Sequence, residues 1–303
     1  MSNPAVLLIG GPDTGKTNFL FRAWTHIDSS NGLIEKDGLP SDAEYLRTGA
    51  ECQLRGKFAG HTSQEVQVIS SIPIRLRSDF EKKALLVVPD INGEQINRIY
   101  YARKWSYDWE SLISETTAYL FFVRVSSQQT IAPLDWIAWH NLYCGTPPPT
   151  PVADHQGGES AKTAKTAVET PRTPTQVILV DWLQFILKAV HDKHPQAVRP
   201  RVGIVVAAWD CVPLDFHGGP SVWIQENMPL LHQFCITNQD VFEFSFFGTS
   251  IFSGDPDNDP EFADELGQKD PRTMGYVRYS SDSRKSDDFT IPIAWALGWQ
   301  SAP

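Results

Sequence analysis

Residues 10–17 read Gly-Gly-Pro-Asp-Thr-Gly-Lys-Thr and fit G-x-x-x-x-G-K-[ST] at every fixed position. The run just before, residues 5–9 (Ala-Val-Leu-Leu-Ile), is short, continuous and apolar. Such a run suits a strand buried on both faces of a parallel sheet. A helical pattern starts at Lys16 and continues to about residue 27. Strand, glycine turn and helix in this order place a helix N-terminus at the end of a central strand. Glycines let backbone N–H groups converge on an anion, and the helix end adds unpaired donors and a positive dipole end. Lys16 can reach the β- and γ-phosphates of a nucleotide, and the Thr17 hydroxyl can ligate Mg2+. The expected phosphate-side set is Gly10, Gly11, Asp13, Thr14, Gly15, Lys16, Thr17 and Asn18. Of these, Lys16 is also expected to act in catalysis.

The rest of the chain repeats the alternation of short buried strands and helices. Residues 72–77 alternate, with Ile72, Ile74 and Leu76 on one face; residues 84–88 are apolar and end at Pro89-Asp90. Strands are predicted at 118–125, 202–207 and 241–247, and helices at about 94–105, 177–193 and 221–234. Pro229 either breaks or kinks the last of these. Residues 292–298 open a short final helix with proline near its first turn. The pattern predicts an α/β fold of the P-loop NTPase type: three α/β/α layers, a mainly parallel sheet, long insertions, and one domain over 1–303. Residues 28–63 are polar, with no element evident. Residues 145–175 are rich in Pro, Thr, Ala and Lys and predict a mobile insertion; residues 254–288 read as a polar, acid-rich surface excursion.

Composition narrows the partners. Hydrophobic residues make up 41% of the 303, enough for a sizeable core. A net charge of −10 argues against a basic field for nucleic acid or anionic lipid. The cysteines (Cys52, Cys144, Cys211, Cys235) are scattered, with no C-x-x-C, which argues against a disulfide framework or a structural zinc site. The first residues carry no basic n-region, and the apolar window at 177–190 is broken by Asp181, Gln184 and Lys188. These features predict no signal peptide, no membrane span, no direct nucleic-acid binding and a cytoplasmic location.

Three further positions complete a candidate site. Asp90-Ile91-Asn92-Gly93-Glu94 follows the strand at 84–88 and has the form D-x-x-G. A carboxylate there can reach Mg2+ through water, and the Gly93 N–H can approach a γ-phosphate. The same letters also make an ordinary turn. Thr62 lies in the polar segment where a threonine can bind Mg2+ and the γ-phosphate, with Thr48 and Ser63 as competitors. Ala207-Ala208-Trp209-Asp210 puts a carboxylate at the end of another buried strand. It can accept hydrogen bonds from guanine N1–H and N2–H2, or simply cap a turn. Ser245, or else Gly248-Thr249-Ser250, is placed to back the base after the last strand.

In order, GGPDTGKT, Thr62, DINGE and AAWD resemble the translation-factor-related class of P-loop GTPases. They resemble more closely the double-GTPase families of bacterial conflict (anti-phage) operons, where D-x-x-G-E and W-D motifs also occur. The resemblance implies GTP and Mg2+ as cofactors, with Thr17, Thr62 and Asp90 as metal ligands. It implies hydrolysis coupled to a switch within a multi-protein bacterial defence system, with partners encoded in the same operon. Two departures stand out. Ala207 and Ala208 replace the Asn and Lys of the usual base motif. Glu94 replaces the Gln or His that orients water, which implies a slow intrinsic rate completed by a partner, or by an arginine such as Arg98 or Arg103. The alternatives are a P-loop ATPase or kinase, since Lys16 and Thr17 do not read the base, and a non-hydrolysing nucleotide-binding scaffold. Trp136, Trp139 and Trp182 read either as core or as apolar surface toward a partner.

Overall fold

The computed structural model describes residues 4–11, 13–59, 69–89, 99–104, 107–116, 118–127, 173–193, 199–270, 273–279 and 284–300. The described strands are β1 (Ala5–Gly10), β2 (Ile34–Lys36), β3 (Ile69–Leu76), β4 (Asp79–Pro89), β5 (Ala118–Arg124), β6 (Arg201–Ala207), β7 (Glu243–Ser250), β8 (Tyr276–Tyr279) and β9 (Lys285–Ser286). They form one nine-stranded sheet in the order β2-β3-β4-β1-β5-β6-β7-β8-β9. The five central strands, β4 to β7 in that order, run parallel, and the two outer strands on each side pair antiparallel. All five parallel strands therefore end on one edge, at Pro89, Gly10, Arg124, Ala207 and Ser250. After β1 the chain goes out to the edge strand β2 and builds back inward through β3 to β4 beside β1, then crosses to β5 on the other side. The edge at β1 and β5 is thus a topological switch point, where open α/β sheets bind ligands.

Alternation along the buried strands divides the core into two. Val6, Leu8, Leu120 and Phe122 face a layer containing α1 (Lys16–Asp28), α2 (Ala43–Leu54) and α8 (Ile291–Ala296). Leu7, Ile9, Phe121 and Val206 face α3 (Tyr107–Glu115), α4 (Thr175–Lys193), α5 (Pro220–Asn227) and α6 (Pro229–Thr237). This is the α/β/α sandwich the sequence pattern predicts. Phe19, Ala23 and Ile27 recur every fourth residue on α1 and bury its inner stripe. The expected helix over 221–234 is two helices: Met228 takes φ −136°, and Pro229 starts α6, where a missing N–H has no partner to lose.

Three stretches differ from expectation. Residues 28–63 hold β2 and α2, whose first turn is capped by the Asp42 carboxylate accepting from the Tyr45 N–H at 3.3 Å. The α2 contact with α1 is made through Gly49, where a Cβ would lie 2.4 Å from the Phe21 ring. Small residues at a helix contact leave little hydrophobic signal to read. The last parallel strand starts at Glu243, because Phe242 N–H bonds Asn238 C=O at 3.0 Å and holds 241–242 in a turn. Residues 254–288 hold α7 (Pro260–Gln268) and the edge strands β8 and β9, with Val277 fully buried.

Candidate functional site

The phosphate loop leaves β1 at Gly10 and enters α1 at Lys16. Asp13 and Gly15 both adopt the left-handed region, at φ 58° and 82°. The Thr14 hydroxyl donates to the Gly11 carbonyl at 2.8 Å and closes the turn on itself. Glycine is required by contact at two points, and at Gly15 by conformation as well. A Cβ on Gly10 would stand 2.5 Å from Thr14 Oγ1 and 2.9 Å from Phe122 Cβ, and one on Gly15 would stand 2.6 Å from Ala207 Cβ. Among the described residues, a Cβ at Gly11 would meet nothing nearer than Thr14 Cγ2 at 3.9 Å. The first turn of α1 has no acidic residue, and its N-cap, Gly15, supplies no side-chain hydrogen bond. A helix start with no side-chain cap and no acidic residue is the kind of site that suits an anion. Lys16 is 7% exposed, and its Nζ donates to the Pro89 carbonyl at 3.0 Å, the last residue of β4.

Asp13 is held from the neighbouring strand. Its Oδ1 accepts from Arg124 Nη1 at the end of β5, and its Oδ2 accepts from Ser127 Oγ at 3.0 Å. The β5 end is itself tied to β6, with Arg124 opposite Ala207 and the Val125 N–H bonding the Ala207 carbonyl at 3.1 Å.

Beyond β6 the backbone turns left-handed at Ala208 (φ 55°) and makes one 3-10 turn over Trp209–Cys211. Trp209 is buried against Gly248, where a Cβ would lie 2.6 Å from the indole. Phe216 meets its ring edge-on and the Arg278 guanidinium lies over it. This anchoring fixes the following residue, Asp210, which stays half-buried. The Asp210 carboxylate is felt by its neighbours. Burial first, and Asp210 second, push the Tyr276 hydroxyl up to about 12. The same two causes, in the same order, raise the Cys211 thiol, while Arg124 lowers it and Asp255 raises it further.

The family model for Double-GTPase 1 matches residues 7–296. The chain belongs to the Double-GTPase 1 family. By that membership this Double-GTPase 1 chain is a GTPase, carried on a P-loop fold. No curated protein matches it in sequence. Among solved structures it is similar to a chain of the signal recognition particle receptor SRb-GTP/SRX complex from Chaetomium thermophilum. The two are 13% identical, over 88% of this chain and 98% of that one, with a TM-score of 0.37.

In this Double-GTPase 1 chain the fold brings the phosphate loop and Asp210 to one edge of the sheet, across the ends of β1, β5 and β6. Thr17 sits in the first turn of α1. Asn18 is engaged elsewhere: its Oδ1 accepts from Gln53 Nε2 at 3.2 Å and from the Ala59 N–H at 3.0 Å. That side chain ties α1 to α2 and to the segment after it. Ser245 must be corrected. It lies opposite Gly203, in mid-strand, whereas Thr249 lies opposite Ala207 at the edge where Asp210 follows. Four strand residues of about 3.3 Å each separate Ser245 from that edge. The alternative, Gly248-Thr249-Ser250, lies at that strand end, with Thr249 opposite Ala207. Thr48 sits exposed inside α2, not in a loop, so it does not compete with Thr62. Arg103 pairs with Asp181 of α4 and lies over the Tyr100 and Phe185 rings. Trp182 is core, edge-on to Trp109. Thr62, Ser63, Asp90, Gly93, Glu94, Arg98, Trp136, Trp139 and nearly all of 145–175 lie outside the described residues. Among the described residues, no helix is long and apolar enough to cross a membrane. The sequence reading missed Arg124 and Ser127. Their partner Asp13 is more than a hundred residues away, and no local pattern marks such a pairing.

Proposed function

We propose that this protein binds and hydrolyses GTP with Mg2+ and works as a nucleotide-dependent switch in a multi-protein bacterial defence system. The observation that carries the nucleotide reading is the bond from Lys16 Nζ to the Pro89 carbonyl. It aims the loop lysine at the strand end from which Asp90, Gly93 and Glu94 follow. The room beside Gly11 among the described residues and the helix start without a side-chain cap fit a phosphate chain. When bound, Mg2+ would offset the negative charge that develops on the phosphate oxygens. Thr17, Thr62 and Asp90 would hold it through hard oxygen donors, as Mg2+ requires. Lys16 would neutralise the β- and γ-oxygens, the Gly93 N–H would approach the γ-phosphate, and Glu94 would accept a proton from the attacking water. A carboxylate beside the γ-phosphate is repelled by it, so the rate alone is slow and a partner from the same operon completes the site. The defence role and the operon partners follow the family resemblance. A cytoplasmic location and the absence of nucleic acid among the ligands belong to the same proposal.

A second reading, a P-loop ATPase, is favoured by one observation: Ala207 and Ala208 supply neither amide nor ammonium beside the base. Competition binding of GTP, ATP and xanthosine triphosphate decides between them. Asp210 facing guanine N1–H and N2–H2 would favour GTP over ATP by at least about tenfold, the worth of one charge-assisted hydrogen bond. Asp210→Asn would shift preference toward xanthosine triphosphate, whose base has a carbonyl in place of the amino group. Equal affinity of the wild type for GTP and ATP puts the ATPase reading first. Single-turnover hydrolysis separates either enzyme from a non-hydrolysing scaffold.

A further inference from the structure

The phosphate loop contains a carboxylate of its own, and a phosphate chain brought to it meets like charge. Asp13 is 28% exposed and occupies a left-handed position in the loop. Both of its oxygens are taken from outside the loop, by the Arg124 guanidinium and by Ser127 Oγ at 3.0 Å. Arg124 stands at the last residue of β5, between the β1 end that emits the loop and the β6 end that emits the Asp210 turn. From there its charge also lowers the Cys211 thiol, so its field spans both sides of the candidate site.

We propose that Arg124 is a positioning residue for nucleotide binding: it clasps Asp13 against the end of β5, offsets the loop's own negative charge and holds the left-handed bend open for phosphate. The clasp rests on the phosphate-loop reading above and adds to it a residue outside the motif. Arg124 acts through Asp13, so its effect depends on the Asp13 charge. Without Arg124 the carboxylate is uncompensated and opposes the ligand in proportion to the ligand's charge. Without Asp13 the need for Arg124 largely disappears.

The test is titration with a fluorescent N-methylanthraniloyl GDP, and competition by GMP, GDP and GTPγS, on wild type, Arg124→Ala, Asp13→Ala and the double variant. Arg124→Ala is expected to weaken GDP by at least about tenfold, with the loss growing from GMP to GDP to GTPγS. Asp13→Ala and the double variant are expected to stay within about threefold of each other, the coupling that marks a shared interaction. Thermal unfolding runs alongside; if Arg124→Ala does not fold, Arg124→Gln carries the same comparison. A loss equal for all three nucleotides, a double variant as weak as Arg124→Ala, or no loss in a folded variant overturns the proposal. Failure of the wild type to bind the GDP probe instead removes the nucleotide reading itself, and the clasp with it.

Discussion

Lys16 Nζ and the Pro89 carbonyl oxygen are 3.0 Å apart, which joins the first turn of α1 to the last residue of β4 across the top of β1. The ammonium is buried, yet its position is set by a backbone oxygen at the ligand edge and not by the hydrophobic core. A phosphate oxygen can compete for the same ammonium, because a charged donor gains more from an anion than from a neutral carbonyl.

The first prediction follows from that relationship. Lys16→Ala should weaken triphosphate binding by at least about a hundredfold, near the upper range for a lost charge-assisted bond. The neutral-acceptor bond to Pro89 contributes only about 1 kcal/mol, so its loss alone should not unfold the protein. Isothermal titration with GTP and a thermal melt check both halves. Unchanged affinity in a folded variant removes the phosphate-loop assignment.

A second prediction concerns the loop backbone. Gly15→Ala places a Cβ at φ 82° and 2.6 Å from Ala207 Cβ. The left-handed strain costs about 1–2 kcal/mol and the overlap adds about 1–3 kcal/mol. The Ala207 contact involves the end of β6, so the damage should reach the Asp210 turn as well as the phosphate side. Urea denaturation should show lower stability, and nucleotide affinity should fall for the monophosphate as well as the triphosphate. If a stable Gly15→Ala protein keeps full affinity, the loop is not held as the structure shows.

Strands with continuous apolar runs were legible because they are buried on both faces: residues 5–9, 118–125 and 202–207 each map onto a central strand. The phosphate loop was legible because its chemistry is local. The missing parts depend on distant contacts. Gly49 carries no hydrophobic signal, yet it packs against Phe21 and lets α2 lie on α1. Strands β8 and β9 are four and two residues long and gain their identity by pairing, β8 with β7 and β9 with β8. Ser245 was misplaced because a strand's phase says which residues share a face, not how far each stands from the ligand edge. Arg124 ends an apolar strand and looks like an ordinary boundary residue until β5 is set between β1 and β6.

The Asp210 turn gives a third prediction. Cys211 is exposed, adjacent to Asp210, with a thiol raised from its ordinary value of 9.0 by burial and then by that carboxylate. Little thiolate is present at pH 7, so labelling by a disulfide reagent should be slow and rise about tenfold per pH unit below the thiol's pKa. Saturating GDP should slow it further, because a base held by Asp210 covers the neighbouring thiol. Cys235 is pushed up to about 12 by burial and should not label in the native state. Mass spectrometry of the labelled peptides separates the two. Equal Cys211 rates with and without bound GDP would place the base elsewhere.

The fourth prediction lies away from the ligand edge. His26, on α1, is 5% exposed, and neither ring nitrogen has a hydrogen-bond partner among the described groups. Its ring stacks on Phe289 at a centroid distance of 5.9 Å. Burial lowers its pKa from the ordinary 6.5, and Arg22 lowers it too, while Asp288 and Asp287 work in the opposite direction. The net shift is downward. In the unfolded chain this histidine takes up a proton near pH 6.5, whereas the folded protein resists doing so until lower pH. The unfolded state therefore binds more protons in that interval, and stability falls as pH drops below 6.5. The contribution is fully present above 6.5. His26→Phe keeps an aromatic ring against Phe289 and removes the titration, so its urea midpoint should hold steadier between pH 7.5 and 5.5 while the wild type falls. Parallel curves for the two proteins would assign the acid sensitivity to other groups.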